Sequence, residues 1–178
     1  MSPLTLILAL PLLTALGLAV VPREKTNIFR LGALLATLTS LGLAIYVFAN
    51  FNKELNAVQT AAFNAKFSLE ETNAWETDAT GSLETTYNYV FTQKISWVSS
   101  LDINYHVGVD GVGTVMVLMA ALVAFAAACC AREIKTREKE FYILLLLMSG
   151  GILGAFMSLD VFMMYFLHEL ALVPTFIM

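Results

Sequence analysis

Two titratable side chains stand where such groups are rare. The stretch Asp160–Met178 (DVFMMYFLHELALVPTFIM) is apolar for most of its length, yet carries His168 and Glu169 side by side. Read as a helix rising about 1.5 Å per residue, it sets Glu169 roughly 13 Å from Asp160, near the midplane of a hydrocarbon layer about 30 Å thick. An ionisable group at that depth costs about 3 kcal/mol or more, and inside membranes such groups mark ion paths. One reading of Glu169 is a proton-carrying carboxyl whose proton affinity is set by burial and by any basic neighbour. The other is a neutral, hydrogen-bonded acid that joins two helices. Sequence leaves both open and leans to the first.

His168 lies about 100° around the helix from Glu169, so the two do not face each other. It either lines the same wet path or hydrogen-bonds to a neighbouring helix. The second histidine, His106, sits on a different segment, and the pair has no metal-ligand spacing, so no metal site is expected. Pro174 cannot donate to the carbonyl of Leu170, which frees an acceptor one residue beyond the acid or simply kinks the helix. The adjacent Cys129 and Cys130 read as small packing residues rather than a disulfide framework. The six glycine-separated residues Gly108–Gly113 (GVDGVG) lack a strand–loop–helix nucleotide context and carry no weight as a phosphate loop.

The elements that must hold these residues follow from hydropathy. The chain has 178 residues, 58% hydrophobic and 13% charged, with a mean hydropathy of +0.75. The apolar residues come in runs rather than single stripes, which predicts an all-α, multi-pass membrane protein forming a single membrane domain, 1–178. About five transmembrane helices are expected, near 2–21, 31–50, 111–131, 141–158 and 160–178. The first has no basic start and reads as a span, bent at Pro11, rather than a signal peptide. The second is rich in small residues (Gly32, Ala36, Thr37, Ser40, Gly42) that allow close approach. Residues 141–178 are too long for one crossing and divide at Ser158-Leu159-Asp160, with Asp160 capping the fifth helix. Asp110 is placed to cap the third.

Between the second and third spans lies a long polar, acidic loop, 51–110, with only a weak helical hint from 51 to about 86 and a flexible segment at 76–86. From Thr86 onward, alternating Tyr87, Tyr89, Phe91, Ile95, Trp97, Leu101, Ile103 and Tyr105 predict a short β-hairpin on the membrane face, with Trp97 and the tyrosines in an interfacial belt. The loops at 22–30 and 132–140 hold seven of the ten Lys and Arg residues (Arg23, Lys25, Arg30, Arg132, Lys135, Arg137, Lys139). The positive-inside rule therefore sends both to the cytoplasmic side, with the N-terminus and the 51–110 loop outside. No basic, aromatic-rich face suggests nucleic acid. The chain stops at Met178 without a charged flank, as expected of a truncated chain.

Two stretches together, residues 95–122 (ISWVSSLDINYHVGVDGVGTVMVLMAAL) and 137–178 (REKEFYILLLLMSGGILGAFMSLDVFMMYFLHELALVPTFIM), resemble the N-terminal part of the chain M subunit of proton-pumping NADH–quinone oxidoreductase, respiratory complex I. The run Y-H-V-G-V-D-G into the third span and the ending F-x-H-E-L-A-L-V-P-T-F carry the resemblance. Gly113 departs from it, standing where a serine is usual, and the 52–86 insert has no counterpart. The resemblance implies an antiporter-like membrane-arm subunit that binds no redox cofactor itself, with NADH, flavin, Fe–S clusters and quinone in other subunits. It implies that Glu169 is the fifth-helix glutamate of the proton channel, working with lysines on later helices, and that partners are the other membrane-arm subunits, lipid and protons. A bacterial plasma membrane is expected, rather than the mitochondrial inner membrane. Since one proton crossing 100 mV is worth about 2.3 kcal/mol, five helices with one buried acid are not expected to pump or catalyse alone. Two rivals remain: a subunit of a multi-component cation/proton antiporter, and a non-transporting five-span protein whose acidic loop binds a partner.

Overall fold

The computed structural model describes residues 2–22, 26–72, 89–98, 103–131 and 137–177. Ser2 caps the first helix, α1 (Pro3–Val20), its hydroxyl accepting from the Thr5 N–H, and the helix continues through Pro11. Next comes α2 (Thr26–Thr72), then two strands, β1 (Val90–Val98) and β2 (Ile103–Val109), and three further helices, α3 (Gly111–Cys130), α4 (Glu138–Met157) and α5 (Val161–Ile177). Among the described residues, four helices (α1, the 27–60 part of α2, α3 and α4) are long and apolar enough to cross a membrane, and α5 is a shorter apolar helix. The helical membrane class and the hairpin are as the sequence predicts.

The second helix departs from expectation. It does not stop at Asn50 but runs 47 residues to Thr72, about 70 Å at helical rise. Residues 43–72 contain no Gly or Pro, and Ala is the commonest residue among them. The turn to polar composition therefore marks where the helix leaves the apolar layer, and no residue there breaks it. Polar side chains within it bond to their own backbone: the Thr37 hydroxyl donates to the Ala33 carbonyl at 2.9 Å and Ser40 to Ala36 at 3.0 Å. Such back-bonding satisfies hydroxyls that no water reaches. Of the small residues expected to pack, Ala36, Thr37 and Ser40 are buried, and Gly32 lies against Leu18, whereas Gly42 opens onto empty space.

β1 and β2 pair antiparallel with Ile95 opposite Tyr105, and irregularities fall between Val90 and Gln93 and between Ser96 and Val98. Phe91 takes a left-handed φ of 58° at the first of these, as an inserted bulge residue does. Residues 73–88 (the expected flexible segment and Tyr87 among them), the Trp97 side chain, Leu101, and Arg23, Lys25, Arg132 and Lys135 lie outside the described residues.

Two buried clusters fill the bundle. One, under the hairpin, gathers Leu4, Ile7, Val47, Val107, Val109, Val117, Leu153, Met157 and Leu167. The other, toward the short loops, gathers Ala15, Leu18, Phe29, Ala33, Ala128, Tyr142 and Leu146. Polar ties mark the two ends. At the hairpin end the Gln93 side-chain oxygen accepts from the Ser2 N–H and from the hydroxyls of Ser2 and Thr5, at 3.2, 2.8 and 2.7 Å. At the opposite end Arg30 pairs with Glu138 at 2.9 Å. There, too, Lys139 donates to the carbonyls of Ala19 and Val21, at 2.8 and 2.7 Å, closing the C-terminus of α1 with a cation where the helix dipole favours one. α4 lies at the centre, packed against α1, α5, α3 and α2.

Candidate functional site in the fifth helix

The start of α5 is fixed from two directions. Asp160 precedes the helix and its Oδ1 accepts from the N–H groups of Phe162 and Met163, at 2.9 and 3.2 Å, the capping role expected of it. The link from α4 is held by the hairpin: the Leu159 N–H donates to the His106 carbonyl at 2.8 Å, and Val107 bridges Ser158. Gly108 permits this approach, because a Cβ there would fall 2.8 Å from the Leu159 side chain and 3.0 Å from Thr92. Asp110 likewise caps α3, accepting from the Gly113 N–H at 2.6 Å.

Along α5, Met163, Leu167, Ala171 and Pro174 are buried, a single stripe at helical spacing that rests on α4. The α4 surface beneath it is made of glycine. A Cβ on Gly151 would fall 2.8 Å from the Leu167 carbonyl oxygen and 2.9 Å from the Ala171 nitrogen, and one on Gly154 would meet Leu8 and Leu167. Backbones meet at Gly151 because nothing projects between them.

Glu169 is the middle residue of α5, eight from either end. It stands two residues from both Leu167 and Ala171, about 200° around the helix and so roughly opposite the α4 contact. It is half-buried. Tyr165 stands one turn earlier on the same side of the helix. His168 is exposed. His106 is on β2, far along the chain, and its backbone rather than its ring serves the α4–α5 link. Tyr165, 62% exposed, was not singled out by the sequence reading, although Y-x-x-x-E is an i, i+4 spacing that places both groups on one face. Pro174 is buried within the helix. The carbonyl it frees lies C-terminal to Glu169, whereas helical side chains lean toward the N-terminus, where Tyr165 waits. Among the described residues no three His, Cys, Asp or Glu side chains gather as a metal site. The chemistry available is proton binding at one carboxyl within an apolar helix.

No protein-family model matches the chain. Individual proteins do. It is 27% identical over 175 residues to a protein of Nostoc sp. (strain PCC 7120 / SAG 25.82 / UTEX 2576) named NAD(P)H-quinone oxidoreductase chain 4 1, covering 98% of this chain and 27% of that protein. It is 34% identical over 83 residues to NADH-quinone oxidoreductase subunit M of Buchnera aphidicola subsp. Schizaphis graminum, covering 46% of this chain and 17% of the other. Among solved structures, an archaeal respiratory membrane complex, the membrane-bound sulfane sulfur reductase, contains a chain with the same fold. That match has a TM-score of 0.67 at 16% identity, over 99% of this chain and 22% of that one. The chain thus spans about a quarter or less of the length of the curated relatives it matches. The resemblance to the proteins named chain 4 extends over nearly all of it, and that to subunit M over about half.

Proposed function

We propose that this chain, similar along its length to chain 4 and over about half of it to subunit M of quinone oxidoreductases, is the portion of a proton-translocating membrane-arm subunit that carries the relay carboxyl, Glu169. The observation that bears this reading is the position of Glu169: mid-helix in α5 and turned away from the α4 contact. A carboxyl placed only to fasten α5 to α4 would point the other way. In the apolar layer a group on that face is stable only against protein or confined water. A proton would bind at one carboxyl oxygen and leave from it, with His168 lining the approach. Electron transfer from NADH through flavin and Fe–S groups to quinone would belong to other subunits of the assembly, and this chain would contribute proton passage alone.

Orientation follows from the charge count. The end of the bundle tied by Arg30–Glu138 and Lys139 faces the cytoplasm of a bacterial cell, and the hairpin faces out. The test is Glu169→Gln in the full-length protein within its assembled complex. Proton translocation per electron should fall severely while assembly and quinone reduction by the uncoupled enzyme persist. Normal pumping by a normally assembled variant would refute the role. Exchange of Na⁺ for H⁺ in the assay medium separates this machine from a cation antiporter without electron transfer.

A further inference from the structure

At the end of the bundle opposite the hairpin, Arg30 is held in place with hydrogen-bonding capacity to spare. Its Nη2 donates to Glu138 Oε1 at 2.9 Å, while its Nε and the Glu138 Oε2 are buried without a partner among the described residues. A guanidinium carries five N–H groups, and this ion pair employs one of them. The Arg30 side chain is still 32% exposed. Beside it lies a cavity of about 430 Å³, lined among the described residues by Asn27, Arg30, Leu31 and Leu34, a size usual for small-molecule sites. The four are spaced i, i+3, i+4 and i+7, so they share one face of α2. Along that face the lining changes from an amide and a guanidinium to two leucines, over about 10 Å of helix. Arg30 is the last charged residue before Lys53, so the change falls where the helix enters the apolar layer. The surroundings are cationic. Residues 22–30 and 132–140 hold seven Lys and Arg against four Glu. Lys139 brings its charge close by, with Nζ bonded to backbone carbonyls and 5.9 Å from the ring centroid of Phe29.

We propose that this face of α2 binds an anionic phospholipid: headgroup phosphate oxygens accept from the exposed Arg30 N–H groups and from the Asn27 amide, and an acyl chain lies along Leu31 and Leu34. The planar fork of arginine matches two phosphate oxygens, and basic pockets at the charged ends of membrane helices recognise such headgroups. Glu138 orients the guanidinium and also competes with the phosphate for it. The site is independent of the relay role of Glu169. The test places the full-length protein, in its assembled complex, in phosphatidylcholine vesicles carrying a trace of photoactivatable phosphatidylglycerol or, in a parallel sample, photoactivatable phosphatidylcholine. Mass spectrometry reads the label on the peptide that contains residues 27–34. Phosphatidylglycerol should label it about tenfold more than phosphatidylcholine, the equivalent of one charge-assisted hydrogen bond. The double change Arg30→Gln with Glu138→Gln, which removes the guanidinium without stranding a carboxylate, should abolish that preference. Glu138→Gln alone should raise it, an effect that a merely structural ion pair would not give. Equal labelling by the two lipids overturns the proposal, as does a preference that survives the double change or fails to rise in Glu138→Gln. Excess inorganic phosphate should leave the label in place; displacement by it would overturn the lipid in favour of a free-phosphate site.

Discussion

Gly151→Ala is the sharpest probe of how α5 is held. The added methyl would sit 2.8 Å from the Leu167 carbonyl oxygen, 2.9 Å from the Ala171 nitrogen and 3.0 Å from the Ala171 Cβ. Comfortable contacts begin near 3.5 Å, so α5 must retreat by about 0.7 Å or tilt. None of these atoms ends a flexible side chain, so rotamer changes give no relief. Overpacking of this kind costs about 1–3 kcal/mol, against a gain of about 0.5–1 kcal/mol from replacing Gly by Ala within a helix. A net loss of about 1 kcal/mol, within a range of about 0–2.5 kcal/mol, follows. Gly150→Ala and Gly154→Ala should lose less, because their new methyls meet the ends of leucine side chains, Leu12 in one case and Leu8 and Leu167 in the other. Gly17→Ala and Gly42→Ala, with nothing within 4 Å of the added atom, should be neutral or slightly stabilising. Thermal unfolding of the protein in lipid nanodiscs ranks the five. Because Leu167 and Ala171 flank Glu169, Gly151→Ala should also depress translocation beyond the effect of Gly154→Ala. If Gly151→Ala were as stable as Gly42→Ala and equally active, the close helix contact would be wrong.

Two further predictions concern the ends of the bundle. Asp160→Ala removes an acceptor from the first turn of α5 and should destabilise by about 1 kcal/mol, with Asp160→Asn recovering most of it; amide exchange at Phe162 and Met163 reports the loss locally. At the other end Glu138 is 17% exposed and Arg30 32%, so Arg30→Gln alone strands a mostly buried carboxylate and should cost about 1–3 kcal/mol after allowance for solvent. The double change Arg30→Gln with Glu138→Gln should be milder than either single one, and strictly additive losses in a double-mutant cycle would show that the pair does not interact.

Several parts of this architecture are local and were readable residue by residue. Asp110 and Asp160 precede apolar runs and do cap helices, because a cap depends on only three or four consecutive residues. The alternation from Tyr89 to Tyr105 gave the hairpin, since period two survives wherever a strand is half-covered. The end of α2 was misplaced because polar composition was taken for helix termination. Solvation and helix termination are separate events, and only Gly, Pro or a cap signals the second.

By itself the sequence determined which segments form apolar helices and that Glu169 stands in the middle of the last of them, for hydropathy and helical rise are properties of the chain alone. Only the tertiary structure decided which way α5 faces. Lipid is as apolar as a helix interface, so residues apolar on all sides of a helix carry no record of their neighbours. The facing is set by a glycine on α4, brought close by the bundle, and that contact turns Glu169 away from α4.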